Sequence, residues 1–222
     1  MTYKLPRNGG CNLKIRINGK ECEAQYGEYV LEVARRNNIY IPALCYDEAL
    51  PEEASCRLCI VEVAENSKSS KVVTSCVYPV TSEIEVQTDS EKIIKMRRTL
   101  LMLLLARVPQ SDLVRKLAAE YGVSESDRFA EDNQEKCILC NLCVSACDML
   151  GTSAITMAHR GIHRKVATPF DEPSLTCIGC ATCAEVCPTS AIKVVEQEGM
   201  RTIWNRNFNL VTCTDCGKQF AT

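Results

Sequence analysis

The chain has 222 residues, with 26 Lys and Arg set against 28 Asp and Glu. That length accommodates one large or two small domains with a buried core, and a formal charge of -2 lacks the basic excess that a dedicated nucleic-acid binder needs. What stands out in the composition is 16 cysteines, a density close to the range in which cysteine dictates the fold.

The first ninety residues predict a small mixed domain. Leu13, Ile15 and Ile17 alternate with polar neighbours, as in a half-buried strand. Asn18-Gly19 is the favoured pair for a tight hairpin turn, and a return strand follows over Glu21 to Gln25. Val30, Leu31, Val33 and Ala34 fit one helix face that ends near Asn37-Asn38. After a cysteine-bearing loop, Ile60–Val63, Val72-Val73 and Ile84–Val86 read as further strands. The order predicts a β-grasp sheet packed on a helix.

Ser90 is placed to cap a helix over Glu91–Ala106, with Ile93, Ile94, Leu101 and Leu105 on its apolar face and Pro109 as its stop. A second helical stretch, Ser111 to Tyr121, ends at Gly122. The polar, acidic segment from Gly122 to Glu135 is the best boundary in the chain. The apolar run Leu100–Ala106 is far too short to cross a bilayer, so no transmembrane segment is expected. MTYKLPRNGG lacks the apolar core of a signal peptide, and a cytoplasmic protein is expected.

Beyond the boundary lies an internal repeat. CILCNLCVSACDMLGTSAITM starts at Cys137 and CIGCATCAEVCPTSAIKVV at Cys177, and both run on to Ser-Ala-Ile. Each copy reads as a cysteine loop, a short helix and a strand, related by a pseudo-two-fold axis.

Tightly clustered thiols in a chain without an export signal point to metal rather than to a disulfide framework. Each repeat contains C-x2-C-x2-C-x3-C. Three thiolates at that spacing wrap one cubane, and the fourth reaches across to the neighbouring one. Cys137, Cys140, Cys143 and Cys187 are therefore assigned to one [4Fe-4S] cluster, and Cys177, Cys180, Cys183 and Cys147 to the other. A zinc ribbon would leave the third and fourth thiols without a role. Asp148 stands where the standard run, as at Pro188, has proline, which predicts a looser geometry in the first half.

Cys45, Cys56, Cys59 and Cys76 form an N-terminal set that suits a [2Fe-2S] centre, two ligands per iron, with a first gap longer than the plant-type spacing. Backbone N–H groups near Ala54 and Ser55 are expected to approach these sulfurs. Cys213 and Cys216 resemble the first knuckle of a zinc ribbon. Two thiols do not complete a tetrahedral site, which leaves open a zinc half-site, part of an extra iron–sulfur site, or free thiols. Cys11 and Cys22, a partner chain or a further tail could supply the other ligands; as lone thiols, Cys11 and Cys22 otherwise read as ordinary core residues.

SCRLCIVEV (55–63), SCVYPV and TDSEKIIKMRRTLLMLLLA, together with CILCNLCVSACDMLGTSAI, resemble the large iron–sulfur subunit of NADH dehydrogenase (complex I). They are also similar to the diaphorase small subunit of NAD-linked hydrogenases and to the N-terminal region of [FeFe] hydrogenases. The resemblance covers residues 13–204 and implies a subunit that relays electrons between a flavoprotein and another redox centre. That family usually carries a further cluster bound by one histidine and three cysteines after the long helix. Here ARVPQSDLVRKLAAEYGV (106–123) has neither residue type, so that cluster is expected to be absent. His159 and His163 are expected to be surface residues, since eight thiols already supply both cubanes.

The expected architecture is thus α+β. A β-grasp [2Fe-2S] ferredoxin-like domain spans 1–90 and a helical linker 91–135. A two-cluster bacterial-ferredoxin-like domain spans 136–204, and a tail over 205–222 carries the CxxC half-site. No GxGxxG after a strand, P-loop or nucleophile–base pair marks a substrate site, so no independent active site is expected. Clusters carry one electron at a time, so a two-electron NAD(P)H step would fall to an FMN- or FAD-bearing partner subunit. The other end would meet a further redox subunit or a ferredoxin, as in a hydrogenase, a formate dehydrogenase or a bifurcating transhydrogenase. A free-standing polyferredoxin is the alternative. The apolar helix around Leu100–Leu105 and the extra N-terminal domain favour docking in a complex.

Overall fold

The computed structural model describes residues 12–65, 69–124 and 135–221. Cys11 and most of the expected boundary segment lie outside them. The chain divides into two units. One comprises Met1–Tyr46 and Glu52–Glu135; the other comprises Lys136–Thr222 together with Asp47–Pro51.

The first unit begins with the expected hairpin, β1 (Asn12–Ile17) and β2 (Lys20–Gln25). Asn18 and Gly19 both take positive φ, 51° and 80°, which closes the two-residue turn. The register Ile15↔Cys22 sends Ile15, Ile17, Cys22 and Ala24 to the buried face. Helix α1 (Val30–Arg36) follows, with Val30, Leu31, Val33 and Ala34 buried and Glu32 bonded back to the Tyr29 N–H. After the cysteine loop come β3 (Ile60–Glu65), β4 (Lys71–Thr74) and β5 (Ile84–Gln87). The sheet order is β2-β1-β5-β3-β4. β5 runs parallel to β1 and antiparallel to β3, which is the β-grasp arrangement.

Helix α2 (Glu91–Arg107) starts where Ser90 Oγ accepts from the Ile93 N–H at 3.3 Å. Helix α3 (Asp112–Glu120) is capped the same way by Ser111, at 3.4 Å from the Val114 N–H. Both helices belong to the first unit, whereas the sequence suggests a linker. The reason is Arg97. It occupies the core-facing row with Ile93, Leu101 and Leu105 and is fully buried. Leu101 and Leu105 are likewise used in packing, and of the run expected to dock onto a partner only Leu103 is exposed.

In the second unit, α4 (Leu142–Met149) leads to the hairpin of β6 (Thr156–Ala158) and β7 (Lys165–Ala167). The short α5 (Thr182–Glu185) leads to a three-stranded sheet of β8 (Val195–Gln197), β9 (Met200–Ile203) and β10 (Arg206–Asn209). The repeat is written into the backbone. Leu139 and Gly179, Asn141 and Ala181, and Ser153 and Ser190 take positive φ at matching places in the two copies.

The halves differ at Asp148 and Pro188. Proline disfavours helical backbone at the residue before it, and α5 ends at Glu185. Asp148 imposes no such limit, and α4 continues to Met149. The difference is a longer helix, not the looser geometry expected. A last pair, β11 (Val211–Thr212) and β12 (Gln219–Ala221), closes a small hairpin around Cys213 and Cys216.

Candidate iron–sulfur sites

The loop between α1 and β3 carries Cys45, Cys56 and Cys59, and the turn after β4 carries Cys76. All four thiols are buried. Cys45 and Cys56 lie 3.4 Å apart, sulfur to sulfur. Cys59 and Cys76 form the other hydrogen-bonded pair, and Cys59 also feels Cys56, so the two closest in sequence belong to different pairs of one cluster of thiols. Within each pair one thiol is favoured as the anion. The hydrogen bond from Cys45 brings Cys56 down to about 6, whereas the same contact and burial push Cys45 up. The hydrogen bond from Cys76 likewise lowers Cys59 and raises its partner.

Backbone donors complete these sites. The Leu44 N–H donates to Cys56 Sγ at 3.4 Å, and the Cys56 N–H donates to Cys45 Sγ at 3.3 Å. The Ser55 N–H also acts on Cys45, as expected from its position. Ala54 and Arg57 hold positive φ, which turns the loop so that these donors face inward. The Cys59 and Cys76 segments are tied together where Ser75 donates through its N–H at 3.1 Å and its hydroxyl at 2.7 Å to the Cys59 carbonyl. Arg97 braces the same loop from α2, donating to the carbonyls of Leu58 at 2.9 Å and Ile60 at 2.7 Å.

In the second unit the thiols of the two runs lie near one another. Burial pushes Cys140 up to about 11, and Cys187 and Cys137 add to it as neighbouring thiols. Cys143, pushed up to about 12 by burial, feels Cys140, Cys137 and Cys187 as well as Cys183. Burial also raises Cys183, which feels Cys180, Cys147 and Cys177. A cavity is lined by those same four residues, Cys147, Cys177, Cys180 and Cys183, with Ile155 and Trp204 among its walls. The Trp204 Nε1–H on that wall faces the Cys183 sulfur and partly offsets the rise that burial causes in its thiol. A cubane fits this donor set of four thiols around one cavity, with a side-chain N–H directed at sulfur.

The fourth thiol of each run is held identically despite the difference in helix length. The Ala154 N–H donates to Cys147 Sγ and the Ala191 N–H to Cys187 Sγ, both at 3.2 Å. These are the alanines of the two Ser-Ala-Ile triplets, which explains why the triplet recurs. A threonine precedes each triplet. Thr152 Oγ1 lies 3.1 Å from Cys147 Sγ, whereas Thr189 Oγ1 lies 3.8 Å from Cys187 Sγ.

The hairpin β9–β10 is a functional part that sequence reasoning cut in two, at residue 204. Arg201 donates to the Gly179 carbonyl at 2.8 Å, and Arg206 to those of Ser174 and Cys177 at 2.8 Å. Gly179 has φ +70° and a Cβ there would meet the Phe208 ring at 2.6 Å, so this place in Cys-Ile-Gly-Cys admits glycine alone. The available signal was the alternation of MRTI and RNFN about Trp204-Asn205, both at positive φ.

Cys213 and Cys216 sit on a tight turn in which the Cys213 N–H donates to the Lys218 carbonyl and the Gly217 N–H to that of Cys213. The N–H groups of Cys216 and Asp215 face the Cys213 sulfur and lower its thiol. Among the described residues no third His, Cys, Asp or Glu joins them. Cys22 packs in the core with Ile15, Val33 and Val63, the ordinary role considered for it. His159 and His163 are exposed, away from the thiol sets.

A β-grasp unit with four paired thiols, followed by a doubled ferredoxin motif, defines a two-domain iron–sulfur protein. Residues 10–91 match the family described as a 2Fe-2S iron-sulfur cluster binding domain, and residues 130–195 match the 4Fe-4S dicluster domain. The chain resembles the iron–sulfur subunits of NAD(P)-linked oxidoreductases. It is 34% identical over 84% of its length to the NADP-reducing hydrogenase subunit HndD of Solidesulfovibrio fructosivorans, covering 36% of that protein. It is 27% identical over 92% of its length to an NADH-quinone oxidoreductase subunit of Rhizobium meliloti, covering 27% of it. The chain thus spans about a third of the length of these curated relatives. A chain of an NAD+-reducing [NiFe]-hydrogenase superposes with a TM-score of 0.70 at 26% identity, covering 81% of this chain and 86% of that one. Among the described residues no helix is long and apolar enough to cross a membrane.

Proposed function

We propose that the chain is an electron-transfer subunit that relays single electrons between a flavin-bearing, NAD(P)H-oxidising partner and another redox subunit, in the cytoplasm. The observation that supports this reading is the cavity lined by Cys147, Cys177, Cys180 and Cys183, together with backbone N–H groups on the sulfurs of Cys45, Cys147 and Cys187. Cys45 with Cys56, and Cys59 with Cys76, would hold the two irons of a [2Fe-2S] centre. Cys137, Cys140, Cys143 and Cys187 would hold one [4Fe-4S] cluster, and Cys147, Cys177, Cys180 and Cys183 the other. Iron–sulfur centres supply one-electron redox chemistry at potentials set by burial and by hydrogen bonds to sulfur.

The chain's own residues provide that setting. Ser75 and Arg97 fix the backbone around Cys59, Ala154 and Ala191 fix the bridging thiolates, and Arg206 fixes Cys177. Cys213 and Cys216 would form a zinc half-site completed by ligands from elsewhere, which the N–H groups facing the Cys213 sulfur and lowering its thiol suit. Residues outside this chain would perform hydride chemistry.

Anaerobic affinity purification tests the reading. The expected result is about ten irons per chain from one [2Fe-2S] and two [4Fe-4S] centres, matching paramagnetic signals on reduction, and a co-purifying flavoprotein. Material holding mostly zinc, or iron-loaded protein with no flavoprotein partner, would overturn it.

A further inference from the structure

Between the two four-cysteine runs the chain carries a segment that neither cluster uses. Its two histidines, His159 and His163, line one open cavity of about 550 Å³ with Arg160 and Lys165. Arg164 is exposed beside them. Lys165 is paired, with Nζ at 2.7 and 2.8 Å from the Asp171 carboxylate oxygens. No ion pair joins Arg160 or Arg164 to an acid among the described residues. Set against Asp171 and the exposed Glu172, the three cations of residues 159–175 leave this segment at a formal +1, where the whole chain carries -2.

The same segment exposes large apolar side chains. Ile162 is 89% exposed, Phe170 96% and Leu175 89%. Phe170 and Asp171 both hold positive φ, 57° and 60°, a conformation that non-glycine residues seldom adopt and that marks sites where shape serves a purpose. The Lys165–Asp171 pair fixes this turn and presents the Phe170 ring outward. Exposed aromatic and aliphatic anchors beside free guanidinium groups have the composition of a protein interface centre. The sign of the charge selects an acidic partner. The segment also leads to sulfur: Arg206 donates both to the Leu175 carbonyl at 2.9 Å and to that of Cys177. Ile178 and Cys180, on the wall of the thiol-lined cavity, are exposed.

We propose that residues 159–175 form the docking face for a small acidic one-electron carrier protein of ferredoxin type, with Arg160 and Arg164 steering it and Ile162 and Phe170 anchoring it. This rests on the electron-transfer reading above, which explains why a carrier should approach there.

Surface plasmon resonance on the anaerobically purified, iron-loaded full chain, with an acidic 2[4Fe-4S] ferredoxin as the probe, tests it. Saturable binding that weakens steeply with salt is expected. Arg160→Glu with Arg164→Glu should weaken it at least about tenfold at low salt, and Phe170→Ser roughly tenfold. Lys116→Glu, the same charge reversal on α3, should leave it unchanged. Iron content shows which variants retain the fold, and the exposed arginine pair decides the matter if Phe170→Ser does not. No ferredoxin binding by chain with its full iron complement overturns the docking face and leaves the electron-transfer reading intact; chain without iron overturns that reading instead. Equal binding to a redox-inert acidic protein, or preferential binding to vesicles of anionic phospholipid, also overturns the proposal.

Discussion

Arg97 Nε donates to the carbonyl oxygen of Leu58 at 2.9 Å, joining the middle of α2 to the residue that precedes Cys59. The same guanidinium reaches the Ile60 carbonyl at 2.7 Å, Asp89 at 2.9 Å and the Tyr121 hydroxyl at 3.2 Å. Its partner Asp89 is largely exposed, so the ion pair itself contributes little. The weight falls on the two carbonyls, which lose their donors if Arg97 is removed. Arg97→Met should therefore destabilise the first unit by about 3 kcal/mol. Denaturant unfolding followed by the visible absorbance of the [2Fe-2S] centre would show a lower midpoint, with the cubanes little changed.

The crossed ligand sets make a prediction that simple local sets do not. Cys187→Ser should remove iron from the centre built on Cys137, Cys140 and Cys143, not from its own run. Cys147→Ser should do the reverse. Each variant should fall from about ten irons per chain to about six if the damaged cubane is lost whole. Cys76→Ser should leave about eight. Iron analysis with spectra of the reduced protein distinguishes them; loss confined to the mutated run would show that the bridging assignment is wrong.

The two threonine hydroxyls offer a test of tuning. Thr152 Oγ1 lies 3.1 Å from Cys147 Sγ and 3.2 Å from the Cys147 carbonyl, which share its one proton, and Thr189 Oγ1 is at the limit, 3.8 Å from Cys187 Sγ. A hydrogen bond to sulfur favours the more negative, reduced state. Thr152→Val should lower the potential of one cubane by on the order of 40 mV, the equivalent of about 1 kcal/mol for one electron. Thr189→Val should shift the other by less. Redox titration of both variants measures the difference.

Asp148→Pro would restore the usual residue after the fourth cysteine, and sequence logic alone would expect no harm. In the structure Asp148 lies inside α4, which runs on to Met149. Proline there removes a helical N–H and crowds the preceding turn, at about 3 kcal/mol. Thermal unfolding of the second unit should occur at lower temperature, and iron should be lost faster on heating.

Much of this was legible because the signals were local. Alternation in Leu13, Ile15 and Ile17, the Asn18-Gly19 turn and the serine caps at 90 and 111 each specify their element within a few residues. The doubled cysteine run is recognisable because its spacing repeats within a few residues, and residues 130–195 match a 4Fe-4S dicluster domain. Three parts were not legible. Arg97 defeated the reading of α2, since a cation on the core-facing row is interpretable only once the carbonyls of Leu58 and Ile60, some forty residues earlier, are in place. The hairpin that holds Gly179 and Cys177 was divided at residue 204 because its strands are short and half polar, and its worth lies in Arg201, Arg206 and Phe208 reaching back across the chain. The pairing of Cys45 with Cys56 rather than Cys56 with Cys59 was hidden for the same reason.

The buried guanidinium also bears on how such modules can be exchanged. The matched 2Fe-2S region stops at residue 91, just as α2 begins. A graft or truncation made at that seam would leave the sheet's third strand and the cysteine loop without the cation that satisfies them. The transferable piece is longer than the recurring one, reaching at least through Tyr121, and any shorter excision would yield a fragment ill-suited to keep its metal.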